Sequence, residues 1–134
     1  MNSKTFVTAV CNAVSKTSGV TVTPEFPDKK QDLPLRNPIV TAGVHDITVE
    51  GIEDVKLAEG MAPSTITVRL TVCVPKMMTG EKCMQTVDAV INSLKPMLQT
   101  HSILTIKVSN TRYSSKLSAL VTDIDVKFNA GSAF

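Results

Sequence analysis

The longest regular alternation in the chain lies between Ile66 and Val74. Ile66, Val68, Leu70, Val72 and Val74 share one parity, and Thr65, Thr67, Arg69, Thr71 and Cys73 share the other. A period of two predicts a strand with one buried face, the opposite face being polar enough to meet water or a partner subunit. The rhythm then changes. Pro75 to Gly80 (PKMMTG) reads as a corner, and Thr79-Gly80-Glu81 can open a helix, with Glu81 favourable against the helix dipole. Cys83, Met84, Val87, Val90, Ile91 and Leu94 recur at helical spacing up to Pro96, where the helix is expected to end.

Two shorter patterns precede this block. Ser3 can cap a helix that buries Phe6, Val7, Val10, Ala13 and Val14 and turns Lys4, Asn12 and Lys16 outward, with Gly19 as its stop. The segment VTVTPEF then alternates like a short strand, and Pro24 places it at a sheet edge or ends it, because proline cannot donate to a ladder. A polar connection with prolines at 27, 34 and 38 follows. From Ile39 to Glu50 the chain is extended, but its apolar phase slips: Val40, Ala42 and Val44 share one parity, Ile47 and Val49 the other. One extra residue near His45-Asp46 restores a common inward face, so a bulge is predicted there.

Residues 51–64 (GIEDVKLAEGMAPS) read as a long loop of mixed character, and such long loops are either functional or mobile. After the second helix, Leu104, Ile106 and Val108 give a strand, Asn110 to Ser115 a turn, and Leu120, Thr122, Ile124, Val126 and Phe128 a last strand pairing antiparallel with the one before. Residues 130–134 form a loose tail in this reading. The order of elements predicts one α+β domain over residues 1–134, with a mainly antiparallel sheet and two helices on one face.

Composition narrows the function. The chain has 134 residues, 43% of them apolar, no Trp and 4% aromatics, so one core built from Val, Ile, Leu and Met is expected. Net charge is +2 and no run of five like charges occurs, so the basic patch that drives nucleic-acid binding is missing. MNSKTFVTAV has no apolar block of signal-peptide length, and no run reaches the roughly 18 apolar residues of a membrane helix. The expectation is a protein neither secreted by the general route nor spanning a membrane.

Candidate chemistry is sparse. Cys11, Cys73 and Cys83 are odd in number and lack metal-ligand spacing, which points to a reducing compartment rather than a disulfide framework or a zinc site. Cys11 and Cys83 read as small hydrophobes, and a Cys–His pair is left only His45 and His101. Asp123 and Asp125 leave the same face of the last strand, which would suit acid–base work or a cation, but a solvated or interface face is the plainer reading. TGEK at 79–82 lacks a full phosphate-binding pattern. Met77 and Met78 suit either adaptable protein contacts or a place under the sheet. No cofactor or metal is expected.

The segment TVRLTVCVPKMMTGEKCMQTVDAVINSL resembles a block of the tail terminator proteins of tailed bacteriophages and phage-tail-like particles. The likeness in order and spacing extends to Phe6 to Lys16, GVTVTPEF, NPIVTAGVHDITVEG and Leu104 to Phe128, nearly the whole chain. It implies a non-enzymatic α+β subunit that forms a homohexameric ring at the head-proximal end of the tail tube and meets neck or connector proteins. The location implied is the host bacterial cytoplasm during assembly, then the particle. In this reading subunit or partner contacts fall on Glu53, Asp54, Lys56, Leu57, Glu59 and Met61 in the long loop, on Thr67, Arg69 and Thr71, and on Lys76, Met77 and Met78 at the corner. Other tail-completion or head–tail adaptor proteins share these proportions. From another class, a small ligand-binding regulatory module with a ferredoxin-like sheet shares the alternation of helices and strands.

Overall fold

The alternation at Ile66–Val74 becomes the central strand of a six-stranded sheet. The computed structural model describes residues 3–15, 21–24, 38–49, 64–78, 80–99, 103–116 and 118–130. Their elements are α1 (Ser3–Val14), β1 (Thr21–Pro24), β2 (Ile39–Val49), β3 (Ser64–Pro75), α2 (Gly80–Gln99), β4 (Ile103–Val108), β5 (Arg112–Ser114) and β6 (Ala119–Asn129). The sheet order is β1-β2-β3-β6-β4, with β5 also paired to β6. β1 runs parallel to β2, and every other pairing is antiparallel. The molecule is therefore α+β, as its pattern predicts, with β1 at the border where Pro24 harms no ladder.

Both helices pack on one side of the sheet. Phe6, Val7, Val10 and Val14 of α1 and Cys83, Val87, Val90 and Leu94 of α2 meet Val40, Ala42, Ile66, Val68, Leu70, Val72, Val74, Ile124, Val126 and Phe128. Rows of this core follow from register: Leu70 lies between Ala42 and Ile124, and Ile66 lies beside Phe128. Phe6 closes one end against Phe128, with ring centroids 5.3 Å apart. The expected bulge is present, since the β2–β3 register shifts between Val44 and Asp46 and leaves His45 without a β3 partner.

Several expectations are corrected. Pro96 does not end α2, which continues to Gln99. Proline removes only the bond to the Asn92 carbonyl, and Met97 and Leu98 pack against the core, which holds the extra turn in place. Met84 is 69% exposed rather than part of the apolar stripe, whereas Thr86 is buried and donates its hydroxyl to the Lys82 carbonyl at 2.8 Å. In β4 the buried residue is Ile103, not Leu104, because an irregularity between Ile103 and Thr105 reverses the parity. The turn after β4 contains β5, and Ser64 belongs to β3 rather than to the preceding loop. The backbone N–H of Ala130 donates to the Ser64 carbonyl at 2.9 Å, so the final segment is held at least to that residue. α1 ends at Val14, short of the expected stop at Gly19; Gly19 itself, the connection over residues 25–37 and the loop over 51–63 lie outside the described residues.

Candidate functional site

Antiparallel register places the polar side of β3 opposite the polar side of β6: Arg69 faces Asp125, and Thr71 faces Asp123. Arg69 donates from Nε to Asp125 Oδ1 at 2.8 Å and from Nη2 to Oδ2 at 3.1 Å, the fork-to-fork geometry that makes arginine–carboxylate pairs directional. Thr71 Oγ1 donates to Asp123 Oδ1 at 3.1 Å, and Arg112 Nη1 of β5 donates to Asp123 Oδ2 at 3.0 Å. The hydrogen bond from Arg69 holds the Asp125 carboxyl below its ordinary value, outweighing the upward push of burial. The same bond raises Arg69 further into its charged form.

This network changes the reading of two groups of residues. Asp123 and Asp125 do share a face, but both are largely shielded and committed to arginines, so of the solvated-or-interface reading the solvated part is corrected. Thr67, Arg69 and Thr71 also share a face as expected, yet Thr67 is buried and the other two bind within their own sheet. The physical cause is cross-strand register, which sets complementary groups within reach of each other. Where β6 begins, this face turns apolar: Cys73, Ala119 and Val121 are buried together against Ile39.

The corner after β3 divides its two methionines. Met77 is 82% exposed, whereas Met78 packs against the core and is tied by its N–H to the Pro75 carbonyl at 2.9 Å. Lys76 sits with Nζ 5.1 Å from the centre of the Tyr113 ring, a cation–π contact that orders the corner against β5. Glu53, Asp54, Lys56, Leu57, Glu59 and Met61 lie outside the described residues.

The thiols are packed rather than poised. Cys83 Sγ lies 3.7 Å from Thr122 Oγ1 in the core, and Thr122 Oγ1 is also 2.6 Å from Thr111 Oγ1. Burial pushes the Cys11 thiol upward, away from the nucleophilic thiolate. Among the described residues no three His, Cys, Asp or Glu side chains gather as a metal-binding group, and no helix is long and apolar enough to cross a membrane.

What stands open is the rim of the sheet. Among the described residues no strand pairs with the outer edge of β2 beyond Ala42, and this stretch exposes Val44, Ile47 and Val49. Val44 and Ile47 pair with Val68 and Ile66, so they continue the helix-bearing side of the sheet past its buried part. The opposite border is β4, which exposes Leu104 and Val108. No protein-family model and no curated protein matches the chain. The rim residues were missed in the sequence because their alternation is that of core strands, and exposure depends on where the helices stop.

Proposed function

We propose that the chain is a structural subunit of a phage tail or phage-tail-like particle, a tail terminator that closes into a ring on the head-proximal end of the tail tube. The observation that carries this reading is the pair of unlike apolar borders on one sheet, Val44, Ile47 and Val49 on β2 and Leu104 and Val108 on β4. A subunit that repeats head to tail needs two different contact surfaces, and a rotation that closes gives a ring. The element order that resembles tail terminators adds to it. Tail tube and neck or connector proteins are the partners in this reading, which places the chain in the host cytoplasm during assembly and in the particle afterwards.

The test is electron microscopy of the purified chain mixed with its tail tube protein, alongside Val44→Glu/Ile47→Glu and Leu104→Glu/Val108→Glu variants. Hexameric rings on one tube end are expected from the natural chain, and both variants should fold but fail to form them. Tubes that grow without rings or length control in the presence of the natural chain would reject the proposal.

A further inference from the structure

We propose that His45 is a two-position proton switch at the β2 bulge. As neutral imidazole it accepts a hydrogen bond from Arg69 and ties the outer half of β2 to the Arg69–Asp125 pair; as imidazolium it leaves Arg69 for the carboxylate of Asp46.

The geometry sets out both positions. His45 Nε2 lies 3.1 Å from Arg69 Nη2 and 3.9 Å from Asp46 Oδ2. A guanidinium has donors and no acceptor, so the contact with Arg69 requires the lone pair of Nε2 and places the ring proton on Nδ1. Taking up a proton from solvent at Nε2 turns that contact into N–H against N–H beside a fixed positive charge. Asp46 offers the alternative. The charges nearest the ring on the packed strands are Arg69 on β3 and Asp125 on β6; Lys107 stands opposite Asp125 on the far side, on β4, and Asp123 and its partner Arg112 lie one step further along. Arg69 opposes an imidazolium, and Asp46 and Asp125 attract it, so protonation moves the ring sideways rather than expelling it.

The bulge makes the movement inexpensive. His45 has no β3 partner, so its displacement breaks no ladder pair. Its side chain and that of Asp46 are 40% and 56% exposed, which gives protons free access. Residues beyond the bulge take their phase from it, and these carry the exposed Ile47 and Val49. The presentation of that apolar edge is therefore coupled to a group whose type changes charge between about pH 5 and 8.

The experiment is nitrogen NMR of the labelled imidazoles and backbone amides across that range, with a His101→Gln variant leaving His45 as the single reporter. Above its titration His45 should be in the Nδ1–H form, the reverse of the preference of free histidine in water. On acidification the amides of Ile47 and Val49 should shift together with the ring. In His45→Gln, whose side-chain oxygen still accepts from Arg69, those amides should keep their high-pH positions throughout. In Asp46→Asn the high-pH spectrum should match the natural chain and only the acidic limb should differ. An Nε2–H form at high pH, Ile47 and Val49 amides that ignore the ring's titration, or an unchanged acidic limb in Asp46→Asn each overturns the switch.

Discussion

The two sides of β3 solve the same problem by opposite means. Toward the helices, Ile66, Val68, Leu70, Val72 and Val74 are fully buried and cohere through non-directional apolar contact. On the reverse side Arg69 and Thr71 are held by hydrogen bonds to Asp125 and Asp123, each with a defined donor and acceptor. The first side makes the sheet stable, whereas the second discriminates between registers, since a two-residue slip preserves apolar parity but sets Arg69 against Lys127 in one direction and, in the other, leaves Thr71 opposite Val121. A protein without tryptophan, whose core is rich in interchangeable Val and Ile, gains specificity from such a polar side.

The strongest way to break the comparison is from the core. Leu70→Ala should cost about 2–5 kcal/mol, because the rows Ala42–Leu70–Ile124 leave little freedom to collapse onto the cavity. Leu70→Met should cost less than about 1.5 kcal/mol, since volume is nearly conserved. Urea denaturation of both variants checks the contrast. On the polar side no such tolerance is expected: Arg69→Lys keeps the charge but loses the fork, and should cost nearly as much as Arg69→Ala.

Asp125→Ala comes next, at about 1–3 kcal/mol, since it leaves Arg69 without its bidentate acceptor. The figure is held down by solvent screening, because the Arg69 side chain is 34% exposed and that of Asp125 19%. A double-mutant cycle with Arg69→Ala should return a coupling that accounts for most of that loss; near-zero coupling would mean that the two strands are held by the core alone. Acid sharpens the same point. The Asp125 carboxyl is lowered in the folded chain, so its contribution is fully present above the ordinary aspartate value of about 3.9 and disappears as pH falls through the lower native value. The natural chain should thus lose stability more steeply below about pH 4 than Asp125→Asn, a difference that thermal melts from pH 5 downward reveal. Arg112→Ala should cost less than about 1 kcal/mol, because that side chain is mostly in water.

The same contrast explains which parts of the fold were legible in the sequence. The helix-side core could be read because apolar residues repeat with the period of their element, and even the bulge at His45 showed itself as a phase slip. Where both phases are apolar the reading failed: Ile103 and Leu104 are equally good inward residues, and so are Cys83 and Met84 at the start of α2. Tertiary packing decided those cases, and it also carried α2 past Pro96. The polar side could be read as a face but not as a network. Arg69 and Asp125 are 56 residues apart, and nothing local announces that the β3–β6 register sets them opposite each other. β5 has three residues, too few for a period to register.

An effect as small as that of Arg112→Ala lies at the turn that starts β6, where both sides of the sheet take their phase. Ser118 has φ of 50°, in the left-handed region that costs a residue with a Cβ roughly 1–2 kcal/mol. The turn needs this conformation. The Ser118 carbonyl accepts from Lys76 N–H at 2.9 Å, locking the β3 corner to the start of β6, and its own N–H reaches back to the Ser115 carbonyl at 3.4 Å. Glycine relieves the strain but makes the unfolded chain freer by about 0.5–1 kcal/mol, so the two terms partly cancel. Ser118→Gly should therefore raise stability by about 0.5–1 kcal/mol in denaturant titrations. Ser118→Val, branched at Cβ and poorly suited to positive φ, should lower stability by more than that. If both substitutions left stability unchanged, the turn would be adapting to its residue, and the Lys76–Ser118 bond would not be what sets the phase of β6 against β3.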